Sequence, residues 1–378
     1  MSSTVFDDPL ANVVAYSSAS TGIYLGSPSL AILDDGSLVA SHDLFGPGAP
    51  TSRFGSANLT RIYRSADDGG SWNPVSDVTG AFWSSLFVHR GSLYLLGCSE
   101  HYGSIVVRRS DDGGMSWTHP DGEETGLLFR GGEGGKPPNY HCAPVPVVEH
   151  RGRLWKAFED CPTGGWGDFL ASVISAPSGG DLLMASNWAM TNKLPYDRST
   201  DPGDFGEGAG WLEGNVVVNP AGELCDILRV ASAPAVNKAA ITRISNDGKR
   251  LSFDPKDFIE FPGGMSKFTI RHDPDTGLYL TISNEVISGS NPSQRNFLVL
   301  ASSEDLVRWR RQQVLLHFPE PGEPVGRDSK VGFQYVDWHI DGEDIVMLVR
   351  TAFDGAHNYH DANHITFHRL ARYWEFID

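Results

Sequence analysis

Six times along the chain an apolar run meets a tight turn holding a glycine and is followed by a second apolar run. The instances are SLAILDDGSLVAS around Gly36, SLFVHRGSLYLLG around Gly91, VPVVEHRGRLWKAF around Gly152, NVVVNPAGELCDIL around Gly222, FTIRHDPDTGLYLTI around Gly277 and YVDWHIDGEDIVMLV around Gly342. Each reads as a β-hairpin whose turn needs a positive φ. Successive glycines lie 55, 61, 70, 55 and 65 residues apart, too wide for solenoid repeats and right for four-stranded blades with decorated loops. Stretches of helical period are scarce, and 42 Gly with 23 Pro match a turn-dense all-β chain. The pattern predicts a β-propeller of four-stranded antiparallel blades in one domain, residues 1–378. The hairpins number six, and the irregular stretch from Asn187 to Gly210 is the one place for a seventh blade, though a long functional loop suits its composition better.

A second signature follows the first two hairpins: Ser65-Ala-Asp67-Asp-Gly69-Gly-Ser71-Trp72, then Ser110-Asp-Asp112-Gly-Gly114-Met-Ser116-Trp117. Both read S-x-D-x-G-x-S-W. The acid and serine bond the backbone of a tight turn while the tryptophan packs between blades, a structural role. Worn copies are expected at Ser302 to Trp309, with Glu304 as the acid, and at Ser245-Asn-Asp247-Gly248.

Charge narrows the partners. Acids outnumber Lys and Arg by 47 to 30, a net charge of −17, which opposes binding to nucleic acid or an anionic membrane. An acidic ligand would need a locally basic pocket. No run has the length of an apolar membrane span, the first residues lack the features of a signal peptide, and a monomer is expected. The four cysteines have no CxxC spacing, which opposes a zinc ribbon; Cys142 and Cys161 read either as a pair or as buried thiols.

Hairpin geometry sorts the rest. Residues entering the first strand and leaving the second share the rim opposite the hairpin turn. That rim gathers His42 with Asp43, His101 with Tyr102, Tyr140 with His141, Glu159, Trp166, Trp211, Glu213, Asn215, Arg229, Lys267, Arg350 and the loop Gly355 to Asn363, which holds His360. Each has a second reading. His42 and Asp43 are a carboxylate-oriented imidazole or a turn pair. His101 beside Tyr102 supplies a base and an acid. Tyr140 and His141 are chemistry or rim packing. Arg229 and Arg350 each need a carboxylate, from the protein or from a ligand. Trp166 and Trp211 are sugar platforms or blade packing.

With these residues in view the chain resembles the Asp-box carbohydrate-active, sialidase-like propellers over almost its whole length. It departs from the sialidases where the first blade begins, having Gly26-Ser27-Pro28-Ser29 in place of their Arg-Ile-Pro. GSPSLAILDDGSLVASHDLFG, NYHCAPVPVVEHRGRLWKAFE and WLEGNVVVNPAGELCDILRV look like the branch of ulvan lyases, a rhamnosyl-glucuronate rhamnosidase and the L-rhamnose-α-1,4-D-glucuronate lyases acting on gum arabic. That branch implies seven blades and β-elimination at a glucuronate 4-linked to rhamnose. For that chemistry position on the rim makes His101 the base, able also to return the proton, with Tyr102 or Tyr140 as the alternative acid and His42 and His141 in reserve. Arg229, Arg350 or Lys267 would hold the carboxylate, and Trp166, Trp211, Glu213, Asn215 and His360 would bind the glycan. No cofactor is required, relatives carry a structural calcium ion for which ligands here are unknown, and secretion is expected. The rival readings are a glycoside hydrolase, favoured if Glu159 and Glu213 act as a pair, and a non-catalytic glycan-binding propeller.

Overall fold

In the computed structural model, which describes residues 4–378, the apolar hairpins become six antiparallel sheets arranged as a ring. Blade I comprises Tyr24–Ile32, Leu38–Phe45, Leu59–Ser65 and Asn73–Thr79. Blade II comprises Phe82–His89, Ser92–Cys98, Ile105–Ser110 and Leu127–Phe129. In blade III the innermost strand is broken into Tyr140–His141 and Val148–His150, followed by Arg153–Asp160, Leu170–Pro177 and Ala189–Met190. Blade IV holds Trp211–Val218, Leu224–Val230, Lys238–Ile244 and Leu251–Glu260. Blade V holds Thr269–His272, Tyr279–Asn284, Phe297–Ser303 and Arg310–His317. Blade VI takes Gly332–Asp341, Asp344–Ala352 and His364–Leu370 from the end of the chain, and its outer strand, Val13–Tyr16, from the beginning. That pairing clasps the ring and covers an edge that would otherwise face water.

The hairpin count of six holds, and the seven blades implied by the resemblance do not. The stretch from Asn187 to Gly210 contains only the short outer strand of blade III and two single 3-10 turns, too little for a blade of its own. Cys142 and Cys161 are buried free thiols rather than a disulfide; their sulfurs donate to the carbonyls of Trp83 and Gly165.

Both well-formed boxes act as read. Asp67 accepts from the Ser71 amide at 2.9 Å and its hydroxyl at 2.7 Å, and Asp112 does the same for Ser116. Trp72 packs on Phe367 across the I–VI seam. The worn copy in blade V is set one residue later than its serine spacing suggested, with Ser303 and Asp305 as its polar pair. Asp305 prevails over Glu304 because its shorter side chain closes on the amides of Val307 and Arg308.

Around the axis, short polar side chains stitch each blade to the next. Asp337 accepts from the Ser29 hydroxyl and the Leu30 amide, Ser29 accepts from the Leu86 amide, and Ser85 bonds Val145. Glu159 accepts from the Gly214 amide, Asn215 bonds Phe268 and Ile270, and Thr269 donates to Val336. Every seam of the ring therefore has a directional bond in addition to apolar packing, which matters because buried polar groups are costly unless paired.

Candidate active site

Four of the six innermost strands carry a β-bulge at the same level, between Gly26 and Ser29, Phe82 and Ser85, Leu212 and Asn215, and Gln334 and Asp337. In each, one non-glycine residue takes the left-handed conformation: Ser27 at φ 47°, Trp83 at 54°, Glu213 at 56° and Tyr335 at 57°. Such backbone costs about 1–3 kcal/mol per residue and gathers at functional sites. All four side chains line one cavity of about 190 Å³ at the mouth of the ring, with Asp43, Phe82, His101, Tyr102, His141, Trp166, Arg350 and His360 among its other walls. That size, below the ~300 Å³ usual for drug-like ligands, suits one sugar ring. A larger cavity of about 650 Å³ opens at the opposite mouth, lined by Val147, Val148, Val216, Ile270 and Ile340, with Arg271 as its main charge; it lacks the convergent polar groups that chemistry needs.

The centre of the funnel is an ion-paired hydrogen-bond network. Tyr335 donates its phenol to Glu213 at 2.5 Å, and Arg229 donates to the other Glu213 oxygen at 2.6 Å. Burial alone would raise the Glu213 carboxyl, but Arg229, His141 and Tyr335 together hold it below its ordinary value. Burial and the Glu213 carboxylate push the Tyr335 phenol up, so it stays protonated at rest. Trp166, 58% exposed, lies over the Arg229 guanidinium at 5.3 Å.

Two further guanidiniums crowd this pair. Arg350, 3% exposed, rests against the rings of Phe45 and Tyr335, donates to the His360 carbonyl and leaves its Nε unbonded. Arg295 donates to the carbonyls of Gln294 and Met265, and its pKa falls to about 10 through burial and the nearby Arg229. Among the described residues neither has a carboxylate in salt-bridge contact. Arg350 reaches across from blade VI to Gly26, where an added Cβ would lie 3.7 Å from its Nη1 and 3.1 Å from Phe45. The missing side chain at Gly26 makes room for it.

On the other wall His141 is oriented by Glu159, Nδ1 to Oε2 at 2.9 Å, and packs edge-on against Trp83. His101 sits between Trp83 and Tyr102, at the rim of the funnel, and partial desolvation lowers its pKa to about 4, leaving a neutral imidazole. Asp43 accepts from the Thr60 hydroxyl at 2.6 Å and the Trp83 amide at 2.7 Å; burial nonetheless pushes it up to about 7.

The funnel thus unites His101, Tyr102, His141, Trp166, Glu213, Arg229, Arg350 and His360 from the sequence reading. It excludes five others. His42 points to the opposite face of its strand from Asp43, buried on Tyr63. Tyr140 packs in the core between blades II and III, under Lys193. Trp211 is buried against Tyr196 and Phe253, because residues adjacent on a strand face opposite ways. Lys267 is fully buried and donates to Thr269 and Val336, too far inside to grip a carboxylate, and Asn215 serves the IV–V seam. Sequence reasoning missed Tyr335 and Arg295. The shared signal for Tyr335 was a position two residues before the inward polar residue of each first strand, as with Ser29, Ser85 and Asn215. Among the described residues no group of three or more His, Cys, Asp or Glu is placed to hold a metal ion, so the calcium ion that the resemblance allowed has no such ligand set.

No protein-family model matches the sequence, and no curated protein sequence does either. Solved structures do share the fold. An α-L-arabinanase of Penicillium chrysogenum, complexed with arabinobiose, is 15% identical with a TM-score of 0.56, covering 95% of this chain and 97% of its own. The α-L-arabinofuranosidase Arb93A of Fusarium graminearum is 14% identical with a TM-score of 0.61, covering 99% and 98%. A Trypanosoma rangeli sialidase bound to sialic acid is 16% identical with a TM-score of 0.59, covering 97% of this chain and 58% of the sialidase.

Proposed function

We infer that in this six-bladed, sialidase-like propeller the reactive groups are those gathered at one mouth of the ring. We propose that it is a carbohydrate-active enzyme that hydrolyses the glycosidic bond of an acidic sugar, with Tyr335 as nucleophile. The observation that carries this reading is the 2.5 Å Tyr335–Glu213 bond set beside Arg350, a buried cation with no carboxylate of its own among the described residues. A buried guanidinium of that kind awaits an anion, and a sugar carboxylate fits. The fold relatives named as arabinanase, arabinofuranosidase and sialidase lend support as carbohydrate-active propellers.

In this scheme Glu213 takes the phenolic proton as the Tyr335 oxygen bonds the anomeric carbon, an arrangement used where tyrosine replaces the usual carboxylate nucleophile. The anomeric C–O bond breaks, and the leaving oxygen takes a proton from Asp43, which burial keeps protonated to about pH 7. Asp43 then accepts a proton from water, whose oxygen displaces Tyr335; the phenolate recovers its proton from Glu213. Arg229 holds Glu213 in place throughout.

A second reading is β-elimination on a uronate such as rhamnosyl-glucuronate. It is favoured by the His141–Glu159 pair and the neutral His101 on the wall opposite Arg350, which offer a base for the C5 proton once the carboxylate is neutralised. Incubation of sialate glycosides, and of glucuronate and galacturonate glycosides that carry a sugar on O4, such as rhamnosyl-glucuronate, in heavy-oxygen water separates the two. Hydrolysis places the heavy oxygen in a product, and the product masses sum to substrate plus water. Elimination incorporates none and yields an unsaturated uronate with a new ultraviolet band. Binding without turnover of any acidic glycoside would instead indicate a glycan-binding propeller.

A further inference from the structure

The loop Gly355 to Asn363 lies at the funnel mouth, and its one carboxylate is saturated with donors. Asp361 accepts from His360 Nδ1 at 2.8 Å on one oxygen. Its other oxygen accepts from His357 Nδ1 at 2.8 Å, the Asn358 amide at 2.8 Å and Arg327 at 3.2 Å. Asn358 in turn accepts from the backbone amides of His360 and Asp361, each at 2.9 Å. The loop is pinned to the ring as well: Tyr359 donates its amide to Ser329, Leu25 donates to Ala362, and His357 stacks on Tyr24. Such density of bonds on one acid is out of proportion to a surface turn.

What the hub holds in place faces the ligand. His360 lines the funnel with its ring edge-on to Phe45, and its carbonyl is the acceptor for the Arg350 guanidinium. A carboxylate on Nδ1 fixes the imidazole tautomer, so Nδ1 carries the proton and Nε2 presents a bare lone pair. We propose that Asp361 is a positioning residue: it sets His360 as a hydrogen-bond acceptor for a substrate hydroxyl, and through the His360 carbonyl it sets Arg350 for the substrate's acidic group. The site then recognises a hydroxyl and an anion in fixed relation, as on one face of an acidic sugar ring. The recognition role rests on the acidic-glycoside reading; the fixed tautomer does not.

The test measures the tautomer in the resting protein and catalysis on the glycoside found above. Nitrogen NMR of histidine-labelled protein should show His360 protonated on Nδ1 alone. Asp361→Asn, checked for an unchanged melting profile, should change that signal and raise KM about tenfold, the scale of one charge-assisted hydrogen bond, with kcat altered less than KM. His360→Gln, which retains an acceptor, should recover more affinity than His360→Phe, and Asp361→Asn should have little further effect in the His360→Phe, Arg350→Lys background. Mixed His360 tautomers in the wild type, or an Asp361→Asn variant with wild-type KM, would overturn the proposal. If Asp361→Asn fails to fold, His360→Gln against His360→Phe decides alone: equal KM values overturn it. If no acidic glycoside is turned over, the function fails, while a single Nδ1–H tautomer lost in Asp361→Asn would leave the positioning of His360 standing.

Discussion

Tyr335 and Glu213 come from strands more than a hundred residues apart, yet each occupies the bulge of its own blade and the two meet in a 2.5 Å hydrogen bond. Neither blade alone makes the pair; closing the ring does. Removing the phenol should therefore abolish chemistry while sparing the fold. Tyr335→Phe is expected to cut turnover at least about a thousandfold with binding largely kept; a variant retaining more than about a tenth of wild-type turnover would exclude Tyr335 as nucleophile.

Glu213→Gln has a different cost. It leaves Arg229 buried without its carboxylate, a change worth about 3–5 kcal/mol in such pairs. Thermal unfolding should show a clear drop for Glu213→Gln that Tyr335→Phe lacks, and equal midpoints for the two variants would contradict the assignment of the ion pair.

Arg350→Met should separate acidic from neutral ligands. Since Arg350 contacts no protein carboxylate among the described residues, its removal orphans no buried acid. Affinity for an acidic sugar is expected to fall about 10–100-fold, the scale of a hydrogen bond to a charged group, whereas a neutral analogue should bind as before. Titration calorimetry with the two sugars reads this directly.

Acid should destabilise the protein well before its exposed carboxylates titrate. Burial lowers His42, His339 and His368 to about 4, against about 6.5 when unfolded. Between those values the unfolded chain binds protons the folded chain refuses, so each group removes up to about 1.4 kcal/mol per pH unit on acidification. Asp43, pushed up to about 7, and Asp226, raised well above its ordinary value, act in the opposite sense because only the folded chain keeps their protons. Three against two leaves a net loss as pH falls from about 6.5 to about 4. Urea midpoints at pH 7 and pH 5 should differ accordingly; an unchanged midpoint would refute the balance.

Deleting residues 1–16 removes the strand Val13–Tyr16 and bares the edge of His364–Leu370. The buried side chains of Val14 and Ala15 go with it, and the melting midpoint is expected to fall by about 5 °C or more, with light scattering rising as open edges pair. A truncated chain that melts like the full one would mean that the clasp is dispensable.

Much of this architecture was legible in the sequence, for a definite reason. A hairpin turn and an Asp-box are local patterns, written in consecutive residues such as Asp67 to Trp72. The rim could also be read, since strand direction alone places Glu213, Arg229 and Arg350 at one end. Facing was harder. His42 and Asp43, or Trp211 and Leu212, differ only in which side of a strand they occupy, and the bulge shifts that alternation by one residue. Tyr335 stayed hidden for the same cause: without the bulge it would face away from the funnel. Arg295 reaches the site from a loop, where no periodicity indicates direction.

The four matching bulges make the mouth of the ring a set of interchangeable sockets. Serine, tryptophan, glutamate and tyrosine now fill them, each held by a backbone that the neighbouring seam bonds keep rigid. A change of ligand in such a molecule asks for a new side chain in an existing socket rather than a new loop.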